Sequence, residues 1–278
     1  PELGRSALDA LELMNTGVQY LREHMPMDNR VHYAITNTGG TLPGVVQPYA
    51  EGLYLMRAPQ LGQAKDLYER VNRIANGAAM MTDTRVEIEF VKACSNTVMN
   101  TNLLQVLQRN LEQISVPEFS KEDFALAKAM RATQKGSASY FDELVLDVTD
   151  PEEQEKLSQN SNSDIHNVVM PFPMERQGFA SSDVGDVSWV CPVAQLNIAT
   201  MPAGTAMHSW QEVAVGKSGI AHKGMLYAGK VLAGAAIDVL RDPAVVERAK
   251  QEKLKRTKSQ VYCAPIPKEV KPKISEGI

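Results

Sequence analysis

What most constrains the fold of this chain is a hydrophobic period that keeps switching between Gly4 and Lys92. From Gly4 to His24 the apolar residues Ala7, Leu8, Leu11, Leu13, Met14, Val18 and Leu21 recur three and four apart, which predicts an amphipathic helix with one buried face. Pro26 and the Asp28-Asn29 pair end it. Arg30 to Thr36 then alternates with Val31, Tyr33 and Ile35 on one side, as a strand does. After a turn at Gly39-Gly40, Val45 to Met56 reads as a second strand, with Pro48 marking an edge or a bulge. Leu61 to Met81 returns to helical spacing, and Arg85 to Lys92 alternates again with Val86, Ile88 and Phe90 on one face. Helix, strand, strand, helix, strand is a small α+β layer that buries one sheet face under two helices and leaves the other open. It is one strand short of the ferredoxin-like split βαβ arrangement. The missing strand is expected just before Pro1, so that the chain begins inside a domain.

The remainder reads differently. Helices are expected over Asn102 to Ile114 and over Lys121 to Thr133, the second opened by Ser120 as N-cap with Asp123 in its first turn. Residues 136–178 read as an irregular insertion with a short strand at Leu144 to Val148 and a solvated PEEQEK run. Val187 to Val193 and Gln195 to Ala199 are β-like. Gly219 to Leu240 is a long helix whose Ala and Gly positions permit close packing on a sheet. Asp242-Pro243 opens a last helix to about Lys255, and a surface tail follows Tyr262. This part suits a layered α/β domain, and 278 residues are enough for two domains.

Composition removes several classes of function. With 44% hydrophobic and 22% charged residues the chain is expected to be globular and to pack a core. The net charge is -4, and the only cationic run lies around Lys250 to Lys258, so nucleic acid is not an expected partner. Three widely spaced cysteines, Cys94, Cys191 and Cys263, do not read as a disulfide framework and predict a reducing, cytoplasmic setting. No 18-residue apolar run predicts a membrane span. The chain opens with neither an initiator Met nor a signal peptide, which raises the expectation that something upstream was removed.

Few residues carry chemistry by pattern. His208, in GTAMHSWQE, has a neutral imidazole that could ligate a metal or act as a base, although a lone loop histidine is more often hydrogen-bonded structure. There is no HExxH and no paired CxxC. Arg57 ends the strand YLMRAP, where a planar guanidinium can hold a carboxylate through two parallel hydrogen bonds or form a surface salt bridge. TNTGGTLPG lacks the spacing of a phosphate loop and reads as a turn. Asp183 and Asp186 could orient a ligand histidine or cap the preceding turn. His222-Lys223 stands at a helix start, where an anion could bind or the turn be simply solvated.

Taken together, PELGRSALDALELM, TGGTLPGVVQPYAEGLYLMRAP, and SSDVGDVSWVCP followed by GTAMHSWQE resemble the zinc or manganese amidohydrolases and carboxypeptidases related to aminoacylase. The resemblance implies a catalytic α/β domain holding two divalent metal ions, interrupted by a smaller α+β lid that also makes a homodimer. It implies a lid over residues 1–95, incomplete at its N-terminus, and a C-terminal part of the catalytic domain over residues 96–278. The implied reaction is hydrolysis of an amide bond in a small N-acyl or aminobenzoyl amino acid. His208 matches the family's last metal-ligand histidine, and Arg57 matches the lid arginine that binds the substrate carboxylate. Where the family commonly has an asparagine thirteen positions before that arginine, this chain has Gly44, so one polar contact to substrate is expected to be missing. The other ligands and the glutamate general base would belong to an N-terminal half that this chain lacks, and Glu152-Glu153 do not replace them. The isolated chain is therefore expected to be inactive. The alternatives are a non-catalytic lid or dimerisation module and a subunit completed by another chain.

Overall fold

The computed structural model describes residues 2–134, 140–172 and 180–271. By its internal contacts the chain divides into two units, the first comprising Pro1–Thr97, Ser181–Asp186 and Tyr262–Ile278, the second Val98–Ala180 and Val187–Val261.

The first unit is built on α1 (Ala7–Leu21), β1 (Arg30–Asn37), β2 (Glu51–Arg57) and α2 (Leu61–Thr82). Ser6 caps α1 by accepting from the Asp9 amide at 3.2 Å, relieving one of the unbonded donors of a first turn. The strands pair antiparallel, with Val31 opposite Met56, Tyr33 opposite Tyr54 and Arg30 opposite Arg57. Because side chains alternate across a strand, this register sends Val31, Tyr54 and Met56 to one face. There they pack on Met14, Val18 and Leu21 of α1 and Leu67, Val71 and Ile74 of α2. His32, Ala34, Leu53 and Leu55 face the other way and stay exposed. One covered face under two helices is what the periodicity predicts.

Two expectations for this unit fail. The second strand starts at Glu51 rather than Val45, because residues 38–50 form a turn. Gly39 has φ +78°, and a Cβ there would lie 1.9 Å from the Tyr49 carbonyl oxygen, so the reversal needs glycine. Residues 85–92 alternate in sequence but take no strand pairing, and the sheet has two strands among the described residues.

The second unit is helical: α3 (Thr101–Gln113), α4 (Lys121–Ala132), α5 (Tyr140–Leu146), α6 (Pro151–Ser158), α8 (Trp210–Val215), α9 (Gly219–Arg241) and α10 (Pro243–Arg256), while α7 (Val184–Val190) crosses the boundary between the units in sequence. Its main core joins Val106 and Leu107 of α3, Tyr227, Val231 and Ala235 of α9, and Val245 of α10. The α3 N-terminus is closed twice over. Asn100 accepts from the Leu103 amide, and the Glu252 carboxylate, reaching from α10, accepts from the amides of Thr101 and Asn102 at 2.9 and 3.0 Å. Burial alone would raise the Glu252 pKa, but these amide donors outweigh it and hold the group at about 2. The Ser120–Asp123 capping box of α4 forms as expected.

Here too the sequence reading needs correction. Leu144 to Val148 is not a strand: Phe141, Val145 and Val148 recur at four and three, a helical spacing, and pack with Leu157 of α6. Residues 136–139 and 173–178 of that stretch lie outside the described residues. Val187 to Val193 is not a strand either, since Val184–Val190 is helical. Gln195 to Ala199 takes no strand pairing, and the nearest ladder contact is an isolated parallel bridge between Met99 and Val193. The small residues of α9 let α3 and the extended segment at Ala199 approach closely. A Cβ at Gly224 would sit 2.3 Å from the Ala199 carbonyl oxygen, and one at Gly234 would sit 2.1 Å from Asn110 Oδ1. No helix among the described residues is long and apolar enough to cross a membrane.

Candidate functional site

β2 delivers Arg57 at its C-terminal end, opposite Arg30. Two guanidiniums side by side repel, and the structure separates their tasks. Arg30 turns back to donate to the carbonyl oxygens of Met27 and Asn29. Arg57 is half-buried, and its Nη2 makes one long contact of 3.5 Å to Ser181 Oγ. It has no carboxylate partner among the described residues, so a rigid strand end presents a guanidinium whose fork is open to an anionic group. The register also puts His32 on the same sheet face as Arg57, which the sequence reading did not single out. The signal was available: if Val31, Tyr33 and Ile35 face the helices, His32 faces away.

Gly44 lies in the turn between the strands, exposed, with nothing within 4 Å of an added Cβ. An asparagine would fit there without a clash.

His208 belongs to the other unit, in the turn before α8. Its backbone is left-handed, φ 61°, a conformation uncommon outside glycine in which histidine, like asparagine and aspartate, is enriched. Two hydrogen bonds hold it there. The His208 amide donates to Glu212 Oε2 at 2.6 Å, and Ser209, the N-cap of α8, accepts from the Glu212 amide at 3.3 Å. The imidazole is left exposed. Glu212, the carboxylate nearest in sequence, is engaged by the backbone. Among the described residues no group of three or more His, Cys, Asp or Glu side chains is arranged to hold a metal ion. The described residues therefore do not make up a whole metal site.

The other candidates resolve into structure. Asp186 neither caps the preceding turn nor approaches a histidine. Its carboxylate accepts from Ser95 Oγ at 2.6 Å, from the Ser95 amide at 3.2 Å and from the Tyr262 hydroxyl at 3.0 Å, tying three distant segments of the first unit together. Asp183 accepts from Ser182 Oγ, and it is Ser182 whose Oγ receives the Val184 amide. Burial, followed by the Asp186 charge, pushes the Cys94 thiol up. At the α9 start Ser218 accepts from the Ala221 amide, and Lys223 Nζ lies 2.5 Å from Asp123 Oδ2, so both the turn and the cation have protein partners. The Lys223 hydrogen bond and the Ser120 amide hold the Asp123 carboxyl below the usual range. Glu152 and Glu153 sit exposed in the first turn of α6, their amides capped by Asp150.

Arg57 and Gly44 thus lie in one unit and His208 in the other. No protein-family model matches the chain. It is 42% identical over 274 residues to a subunit of the p-aminobenzoyl-glutamate hydrolase of Escherichia coli strain K12, covering 98% of this chain and 57% of that protein. It is 31% and 29% identical, over 141 residues each, to the Xaa-Arg dipeptidases of mouse and human, covering 50% of this chain and 32% of each of those proteins. The chain thus spans little more than half of the bacterial relative and about a third of the mammalian ones. The resemblance read from the sequence blocks holds, and the names of all three relatives are those of hydrolases that cut amide or peptide bonds.

Proposed function

We propose that this chain is part of an amidohydrolase that cleaves the amide bond of an N-acyl or aminobenzoyl amino acid such as p-aminobenzoyl-glutamate. The observation that carries this reading is the 42% identity to the bacterial hydrolase subunit over 98% of the chain. The open Arg57 fork supports it: a substrate ending in an amino-acid carboxylate offers two coplanar oxygens, and a guanidinium on a strand end can meet both with little loss of freedom. Gly44, in place of the family's asparagine, leaves one polar contact to substrate unmade.

A divalent cation, zinc or manganese and two ions in the whole enzyme, belongs to this reading. When bound it would polarise the scissile carbonyl and acidify a water. This chain offers it His208, and the remaining ligands and the general base must come from polypeptide that the chain does not contain. Homodimerisation through the α1–β1–β2–α2 unit is part of the same proposal. Completion by a separate chain is the second reading, favoured by the lack of a full ligand set among the described residues.

Arg57→Ala in the complete enzyme tests the substrate contact. Loss of a charge-assisted pair worth about 2 kcal/mol predicts a KM for p-aminobenzoyl-glutamate higher by on the order of thirtyfold, partly restored by Arg57→Lys. An unchanged KM would remove Arg57 from the site.

A further inference from the structure

α1 and α2 pack side by side on the covered face of the first unit's sheet, and a groove remains between them at the C-terminal end of α1. Its floor is apolar. Gly17 lets the helices close, since a Cβ there would lie 2.6 Å from Ile74 Cγ2, and Leu21, one turn on, is buried. A short 3₁₀ turn, Arg22–His24, continues α1, so Gly17, Tyr20, Leu21 and His24 follow one another at the three- and four-residue steps of one helix face. Arg70, Arg73 and Ile74 do the same on α2. The cavity between the two faces measures about 390 Å³, and Tyr20, 68% exposed, is part of its wall.

The rim is cationic. Arg70 Nη1 donates to the His24 carbonyl oxygen at 2.8 Å, which closes the end of the 3₁₀ turn and holds that guanidinium half-buried at the groove. Arg73, one turn along, is exposed and makes no hydrogen bond or ion pair among the described residues. Asp66 and Glu69 stand four residues before these arginines, a spacing that commonly pairs charges on a helix, yet neither forms a pair here. Glu23 lies 3.9 Å from the His24 imidazole. In a chain of net charge -4, two guanidiniums three residues apart without a carboxylate partner are a local excess of positive charge.

Rim and floor together select the ligand. An inorganic anion would use the arginines and leave the floor wet, while an uncharged ring would do the reverse. A flat apolar body carrying a carboxylate uses both, offering two coplanar oxygens to a guanidinium fork and a ring face to the floor. The volume lies at the lower end of small-molecule sites, which suits a single ring.

We propose that the α1–α2 groove binds a small aromatic carboxylate, its carboxylate on Arg73 and Arg70 and its ring on the floor between Gly17 and Ile74. Arg57 leaves the opposite face of the sheet, so this is a second carboxylate site in the same unit. An aminobenzoate, the acid that the proposed hydrolysis would release, belongs to this class, but the site stands without that reading and its test reads no turnover.

Benzoate titrated into the ¹⁵N-labelled chain, followed by amide chemical shifts, tests it. The amides of residues 17–24 and 70–74 should move together and saturate with a Kd on the order of 1 mM, the weak affinity of an open groove. Arg73→Gln should weaken binding by about tenfold or more with the thermal midpoint unchanged, and Arg73→Lys should lose less. Arg57→Ala should leave these shifts as they are. Benzamide, the ring without the charge, and phosphate, the charge without the ring, should each bind at least about tenfold more weakly than benzoate. The absence of saturable shifts at 17–24 and 70–74, or shifts confined to β2 around Arg57, overturns the proposal. So does an unchanged Kd in Arg73→Gln, or benzamide or phosphate that binds as tightly as benzoate.

Discussion

The β1–β2 pair and residues 194–199 have the same alternating sequence pattern, yet only the first is a sheet. The difference lies in where the partner is. β1 and β2 are joined by residues 38–50 and pair antiparallel, from Asn37 opposite Glu51 out to Arg30 opposite Arg57, so the ladder closes within one stretch of chain. Val193, just before residues 194–199, makes an isolated parallel bridge to Met99, and a parallel partner has to come from far along a chain. Alternation therefore reports which face a segment buries, and pairing depends on whether the neighbouring strand is at hand.

The largest effect should come from breaking the self-sufficient region. Val31 is 1% exposed at the centre of the covered sheet face. Val31→Asp would bury an unpaired carboxylate and cost about 4 kcal/mol or more, enough to unfold the first unit. Hydrogen exchange should lose protection over β1, β2 and α2 while α3, α9 and α10 keep theirs.

Glu252 tests the second unit. Its folded pKa of about 2 is depressed from the ordinary 4.5. The stabilisation is therefore fully present above about pH 4.5 and is lost as pH falls from there towards 2. The shift corresponds to about 3 kcal/mol at neutral pH. Glu252→Ala should lower stability by about 2 to 3 kcal/mol at pH 7, and denaturant midpoints of wild type and variant should converge as pH falls to about 2.

Gly224→Ala sharpens the contact between α9 and the extended segment at Ala199. The added methyl meets the Ala199 carbonyl, backbone that cannot swing aside, and should cost about 1 to 3 kcal/mol by thermal melt. The smallest effect is expected from Asn197→Pro in the chain alone. With no ladder bond to lose there, stability should change by less than about 1 kcal/mol.

Most of the helices were legible in the sequence because their signals are local. Ser120 with Asp123, Asp242 with Pro243, and the spacing of Leu11, Val18 and Leu21 each act within one or two turns. What was misread depended on distance or on period. Leu144 to Val148 carries β-favouring residues, yet Phe141, Val145 and Val148 follow a helical repeat. Residues 85–92 alternate but take no strand pairing. At the candidate site the exit of Arg57 from a strand end could be read from the pattern. The contact to Ser181 and the role of Asp186 in joining Ser95 to Tyr262 could not, since residues remote in sequence meet there without any motif.

The central claim is that this chain carries part of a hydrolase whose chemistry is completed by other polypeptide. The most direct measurement is p-aminobenzoyl-glutamate hydrolysis, with zinc or manganese supplied, by the chain alone and by the E. coli protein with its matched region replaced by this chain. The account predicts no turnover above buffer for the chain alone and clear turnover for the chimera. Hydrolysis by the chain alone, or a folded chimera that does not turn over, would contradict it.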